Sequence, residues 1–367
     1  KDKVYYVPSS NYSKVQTYIM AARKDWMDNL GITKAPETLD EFYDMLKKFT
    51  YDDPDGNGED DTYGIHGGTW MGFNYVPAAY GIQPNSYYLV DGKIVYTSTT
   101  EEYKELLKTL NKWFKEKLID PEFVTDDRDV QRKKWAEGRF GVLVDHPWWF
   151  AKSTSGNLTD MLAQANPNAE VIYFEAFEGP DGKSGGIQSY PNLHADGFCF
   201  GRNTSDEKVE RIMAIMESFA VDWDWYVECY FGEKGKHYNL DKDGKIELIP
   251  EMNTPEIHAE EGLSGYFAES PLDLDDYKKF TAIADLPPYQ IAEKNKMSYT
   301  GVAFPVSGVN EAEKTKGTDI TTIAQEFYYN AITGNVDIDA EWDNYIKRLN
   351  EAGLQEVLAE FERIAIK

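Results

Sequence analysis

The chain has 367 residues, 41% of them apolar, which is enough for two domains with real cores. Its net charge of −26 argues against nucleic acid and anionic membrane surfaces as partners, because phosphates would be repelled over most of the surface. No run of about 18 apolar residues occurs, so no membrane span is expected. Aromatic residues reach 14%, including 25 Tyr and 9 Trp, and rings that join a flat apolar face to a polar edge suit sugars as well as cores. Cys199 and Cys229 are too few for a disulfide framework and, set among apolar neighbours, read as buried inert thiols. Lys1 is not an initiator methionine, so a processed chain is expected, its signal peptide and lipid-bearing cysteine gone with the missing end.

In chain order, residues 4–7 read as an opening strand and 12–30 as a mixed strand and helix region. The spacing over 38–49 predicts a helix, with a capping box from Thr38 to Glu41 and Leu39, Phe42, Met45, Leu46 and Phe49 on one face. Residues 53–64, DPDGNGEDDTYG, then put Asp53, Asp55, Asn57 and Asp61 at positions 1, 3, 5 and 9 of a calcium-loop pattern, with Gly58 at the sharp turn. Glu59, at position 7, would ligate through its backbone carbonyl. Position 12 is Gly64, where a bidentate Glu is usual, and Gly67-Gly68 stops any following helix. The loop therefore joins a helix to an extended segment and differs from a signalling EF-hand. The alternative is an acidic Asx-turn without metal.

A helix over 99–118, capped by Thr99 with Glu102, carries a core stripe of Tyr103, Leu106, Leu107, Leu110, Trp113 and Phe114. A short helix over 129–136 precedes a strand over 138–144, which ends in Asp145-His146-Pro147-Trp148-Trp149. Polar and aromatic residues at the end of a buried strand are where α/β proteins place ligands. A strand over 171–177, a helix over 204–221, a hairpin over 238–249 and helices over 319–333, 339–352 and 354–364 complete the chain. This alternation favours an α/β fold with largely parallel sheets.

Several segments resemble one family. Lys3-Val4-Tyr5-Tyr6-Val7-Pro8, Arg23-Lys24-Asp25-Trp26, Leu30-Gly31, the Pro36 to Glu41 run and the acidic loop occur in its order. So do Trp135-Ala136-Glu137-Gly138-Arg139-Phe140-Gly141-Val142, with Arg139 in place of Lys, His146-Pro147-Trp148, and the Phe231 to Tyr238 stretch before Asp243-Gly244-Lys245. The chain resembles the extracellular solute-binding proteins of family 1, carbohydrate type, close to the calcium-loop lipoproteins that feed ABC importers. The resemblance implies a two-lobe, type II periplasmic-binding-protein-like α/β fold that captures an oligosaccharide between its lobes and delivers it to the permease transmembrane subunits. It also implies an extracellular, monomeric protein with a structural calcium in the loop. Family members begin before the Lys3 segment, so the first lobe is expected to lack its opening units here.

On this reading residues 12–196 and 300–367 form the lobe with the calcium loop, and 1–11 and 197–299 the remainder of the other. Trp148 matches the sugar-stacking position and Asp145 would accept sugar hydroxyls; Trp149 is either a second platform or core. The resemblance puts Trp70 and Tyr75 beside the cleft, with Tyr190, His194 and Tyr299 as further candidates near the later crossings. The rival reading is a secreted, calcium-stabilised polysaccharide-active enzyme, a glycoside hydrolase or lyase, but no carboxylate pair stands out. A non-catalytic adhesin module is a second rival.

Overall fold

The structure, a computed structural model, describes residues 6–9, 18–68, 70–151, 157–186, 196–263, 287–295, 302–303 and 310–365. The chain divides into two compact units. The larger is formed by Thr17–Asp145, Met161–Gln188 and Lys294–Lys367, the smaller by Lys1–Gln16, His146–Asp160 and Ser189–Glu293. The boundaries differ from the expected ones chiefly at His146–Asp160, which falls in the smaller unit.

Strand β1 (Tyr6–Ser9) belongs to the smaller unit; the chain then enters the larger as β2 (Ile19–Arg23), buried throughout, and runs into α1 (Lys24–Asn29). Helix α2 (Leu39–Tyr51) starts where its capping residues predict. The Thr38 hydroxyl accepts from the Glu41 amide at 3.2 Å, and the Glu41 carboxylate accepts from the Glu37 amide at 2.8 Å. The acidic loop leads to β3 (Tyr63–Ile65), α3 (Tyr75–Ala79), the hairpin β4 (Tyr87–Val90) and β5 (Lys93–Tyr96), and α4 (Glu101–Lys115). Thr100 caps α4 rather than Thr99, because Thr97–Thr99 closes into a 3₁₀ turn. Helix α5 (Arg128–Ala136), capped by Asp127, feeds β6 (Phe140–Asp145).

The chain continues through α6 (Pro147–Phe150) and α7 (Leu158–Ala165) to β7 (Val171–Tyr173). The smaller unit then holds β8 (Asp196–Cys199), α8 (Asp206–Val221), α9 (Trp223–Phe231), the hairpin β9 (Tyr238–Leu240) and β10 (Ile246–Leu248), and α10 (Pro255–Glu261). After α11 (Pro287–Lys294), the larger unit is completed by β11 (Val302–Ala303), α12 (Glu311–Thr333), α13 (Ile338–Glu351) and α14 (Leu354–Ala365).

The main sheet of the larger unit has the order β3-β6-β2-β7. In it β3 and β6 run parallel, with Ile65 opposite Val142, while β2 is antiparallel to both neighbours, Ala21 facing Leu143 and Tyr173. The other sheets, β11-β4-β5, β1-β8 and β10-β9, are antiparallel. The sheets are thus mixed, not largely parallel as the alternation suggested. Among the described pairs only β3 and β6 run parallel, and the chain between them passes through α3, α4 and α5, the long crossover that parallel pairing needs.

The core of the larger unit packs Trp26, Phe42, Phe49, Trp113 and Phe177 against the sheet, and Phe327, Trp342 and Tyr345 join it from α12 and α13. Phe42 stacks on Phe177 with centroids 4.7 Å apart, and Phe327 on Tyr345 at 4.1 Å. Burying each such ring contributes about 1.5–3 kcal/mol. The smaller unit has its own cluster of Phe219, Tyr226, Val227, Phe231, Tyr238 and Ile246. Cys199 is exposed and Cys229 half-buried, which corrects the expectation of two buried thiols. Cys199 is the last residue of β8, whose sheet has two strands among the described residues.

Candidate functional site

Because β3 and β6 are parallel, their carboxyl ends lie on one edge of the sheet and their amino ends on the other, and three polar constructions lie in the segments that precede, succeed and flank them. The first is at Asp145. The residue closes β6, fully buried, and α5 supplies two arginines one turn apart to neutralise it. Arg132 approaches with Nε 2.8 Å from Oδ2 and Nη2 3.3 Å from Oδ1; Arg128 Nη1 lies 3.3 Å from Oδ1. Asp145 is therefore a buried anchor for cations and presents no open face to a sugar hydroxyl, which corrects its expected role. Beyond it, His146 precedes the one-turn α6 and stacks on Trp148, rings 4.0 Å apart and 10° from parallel. Trp148 and Trp149 are both half-buried.

Tyr75 is a second correction. It has no exposed surface, and its hydroxyl donates to Phe174 O at 3.1 Å while accepting from the Met20 amide at 3.2 Å and Asn295 Nδ2 at 2.5 Å. Burial, the dominant influence, pushes this phenol well above its ordinary pKa. Tyr75 is thus a core post tying β2 to the segment after β7 and to Asn295, where the chain re-enters the larger unit. The glycines before it serve close packing. A Cβ on Gly67, which has φ +85°, would meet Phe73 Cζ at 2.5 Å, and one on Gly72 would meet Gly67 O at 1.9 Å. Trp70 opens the 3₁₀ turn Trp70–Phe73 with its backbone; its side chain lies outside the described residues, as do Tyr190, His194 and Tyr299.

The acidic loop is the second construction. Asp53 adopts a left-handed φ of 47°, and its Oδ2 accepts from the Gly58 amide at 3.0 Å across the turn. Asn57 Nδ2 donates to Asp55 Oδ2 at 3.1 Å and to Asp61 Oδ1 at 3.2 Å, while Asn57 Oδ1 accepts from the Glu59 amide at 2.7 Å. Asp53 Oδ1 is buried without a hydrogen-bond partner. Burial first, and then the neighbouring Asp53 and Asp61, raise the Asp55 carboxyl above its usual range. An all-oxygen donor set, an orphaned buried carboxylate oxygen and mutually repelling acids fit a hard cation such as calcium. Thr62 Oγ1 donates to Phe49 O at 2.8 Å, stitching the loop's exit to the end of α2.

The third construction escapes a reading of the sequence, because its members are scattered from residue 66 to residue 134. His66, Asp120 and Asp126 form the one group of His, Cys, Asp or Glu among the described residues whose ligand atoms all lie within 4.8 Å. His66 Nε2 is 2.9 Å from Asp126 Oδ2. A cation already serves the cluster: Lys134 Nζ contacts Asp126, Glu122 at 2.5 Å and Asp120 at 3.4 Å. Burial opposes the charge on Lys134, but these carboxylates outweigh it and raise the ammonium's pKa. Burial would likewise raise Asp126, yet hydrogen bonds from Lys134 and His66 hold it below the usual carboxylate range.

Residues 1–195, more than half of the chain, match the family described as bacterial extracellular solute-binding protein. The chain belongs to this family. Residues 310–364 also match a domain of unknown function, DUF3502. Lipoprotein LipO of Bacillus subtilis is 27% identical over 94% of this chain and 68% of its own length. The polygalacturonan/rhamnogalacturonan-binding protein YtcQ of the same organism is 26% identical over 93% of this chain and 66% of its own. The chain thus spans about two thirds of the length of the curated relatives it matches.

Among solved structures, the substrate-binding protein FusA of Streptococcus pneumoniae in complex with kestose has a TM-score of 0.68 at 20% identity, covering 99% of this chain and 74% of that one. A second structure of FusA, described as an EF-hand mutant in complex with fructo-nystose, gives 0.66 at 19% with the same coverage. This likeness establishes the α/β fold as that of the two-lobe, type II solute-binding proteins. The family is one of solute-binding proteins and not of enzymes, and the polysaccharide-active enzyme reading is set aside. No helix of the described residues is long and apolar enough to cross a membrane.

Proposed function

We propose that the chain is the extracellular, oligosaccharide-capturing component of an ABC importer, acting as a monomer that hands its solute to the permease subunits, with calcium as a structural ion in the 53–61 loop. The family match over residues 1–195 carries this reading. The carbohydrate named for YtcQ and the kestose bound by FusA support an oligosaccharide as the solute. Trp148, in the His146-Pro147-Trp148 segment, is the leading platform for a sugar ring, and it stacks on His146. Trp149 is the secondary candidate, and Trp70, Tyr190, His194 and Tyr299 remain proposals from the resemblance alone.

Asp53, Asp55, Asn57, Asp61 and the backbone of Glu59 would hold the ion, which would supply charge neutralisation and loop closure. The orphaned Asp53 Oδ1 supports this, as does the EF-hand named for FusA. A lipoprotein anchor, as the name of LipO suggests, would keep the receptor at the cell surface. A thermal-shift screen of plant and microbial oligosaccharides, with and without calcium, tests the proposal. A saturable rise in melting temperature with one carbohydrate class is expected, and no rise with any carbohydrate refutes it.

A further inference from the structure

Residues 52–61 hold six carboxylates and no lysine or arginine, so the acidic loop brings no counter-charge of its own. The fold supplies one. Tyr63, which opens β3, donates its amide to Arg139 O at 3.0 Å, and the parallel register sets Tyr63 opposite Phe140 at the start of β6. That pairing brings the Arg139 side chain beside the loop's exit, where Nη1 lies 3.6 Å from Asp61 Oδ2. Among the described residues, Arg139 is the one cation paired with any of the six carboxylates. The other oxygen, Asp61 Oδ1, accepts from Asn57 Nδ2 at 3.2 Å, and the same amide nitrogen donates to Asp55 Oδ2 at 3.1 Å. Asp61 is thus held from two sides, by an amide and by a guanidinium.

A carboxylate that already serves a guanidinium gives less to a divalent cation, and two positive charges beside one carboxylate repel each other. We infer that Arg139 is the counter-cation of the acidic loop, competing with calcium for Asp61 and lowering the loop's affinity for the ion. This inference rests on the structural-calcium reading above and gives that site its set point. The affinity of such a loop follows the count of charged ligands around the ion. Position 12, where a bidentate Glu would add a negative ligand, is Gly64, so the charge missing there and the charge added by Arg139 act in the same direction. The Arg139 side chain is 55% exposed and that of Asp61 38%, so solvent screens the competition to roughly two- to five-fold in affinity.

Calorimetric titration of the chelator-treated full chain with calcium, at low and high salt, tests the inference. Arg139→Gln should bind calcium roughly two- to five-fold more tightly than the wild type, and Arg139→Glu more tightly still. Arg139→Lys, which keeps the charge, should stay within roughly two-fold of the wild type, and all the differences should shrink as salt rises. Thermal melts in chelator confirm that each variant folds. An arginine that only braced the loop would give the opposite sign, a looser site in Arg139→Gln. A calcium affinity unchanged or weakened in Arg139→Gln therefore overturns the inference and leaves the calcium reading standing. Absence of calcium binding by the wild-type chain overturns both.

Discussion

Replacing Asp53 with Ala tests the acidic loop where its geometry is most specific. Asp53 spends Oδ2 on the Gly58 amide and leaves Oδ1 buried and unpartnered. In chelator, Asp53→Ala removes one charge-assisted hydrogen bond, a loss of about 1.5–3 kcal/mol, but also removes an unsatisfied oxygen and a charge that repels Asp55, an offset of about 1–3 kcal/mol. The two nearly cancel, so the variant's stability without metal should lie within about 1 kcal/mol of wild type. Calcium separates them. Loops of extracellular modules bind it at about 10⁻⁴ to 10⁻³ M. At about 10 mM calcium the wild type therefore gains about 1.4–2.7 kcal/mol by mass action, and Asp53→Ala almost none. For units of this size that is a rise of about 3–10 °C in melting temperature, continuing with the logarithm of calcium concentration. Differential scanning calorimetry in a calcium series, with magnesium as control, provides the assay. A wild-type melting temperature indifferent to calcium, or an equal rise in Asp53→Ala, would refute the reasoning.

Tyr75→Phe should destabilise the larger unit by about 2–4 kcal/mol in urea denaturation, because the Met20 amide and Asn295 Nδ2 lose their acceptor in a fully buried place. A sugar affinity that fell while stability held would return Tyr75 to the binding site. Lys134→Met should lower stability at pH 7 by about 3 kcal/mol, since Asp120 and Asp126 then lack their ammonium. Asp126, with its folded pKa depressed, contributes stability above about pH 3.9 that is lost as pH falls through the folded value. Lys134, with its pKa raised, contributes fully below about pH 10.4 and loses this as pH rises through its folded value. The penalty of Lys134→Met should thus shrink towards acid in pH-dependent denaturation, and a constant penalty would point to lost packing instead. Trp148→Ala should weaken binding of whichever oligosaccharide raises the melting temperature by roughly ten-fold or more, measured by calorimetry, whereas an unchanged affinity removes Trp148 from the site.

How much of the fold is legible in the sequence depends on the range over which each interaction acts. The α2 cap, the acidic loop, the β9–β10 hairpin and the end of β6 are local, set by residues within a dozen positions of one another, and their patterns can be read directly. The α4 cap is ambiguous even so, because the pattern of a Thr before a Glu fits two adjacent threonines, and only the Thr97–Thr99 turn decides for Thr100. Tyr75 misleads for another reason. Glycines around an aromatic suggest exposed, irregular backbone, but here Gly67 and Gly72 make room for Phe73 and the turn's own carbonyl, and the partner of Tyr75 lies 220 residues away at Asn295. The mixed sheet is hidden because β2 takes its direction from a crossing between units, which no periodicity records.

The same distinction explains why the polar edge is visible only in three dimensions. One helix, α5, reaches three separate segments: Arg128 and Arg132 hold the end of β6 through Asp145, Gln131 Nε2 donates to Gly67 O at 2.9 Å after β3, and Lys134 gathers Asp120 and Asp126. In sequence these are ordinary charges on a nine-residue helix. In the fold they lock the carboxyl ends of the two parallel strands to one rigid support. An edge held in this way has little conformational freedom left to lose, which is why its order depends on side chains from one helix and not on the local sequence of either strand.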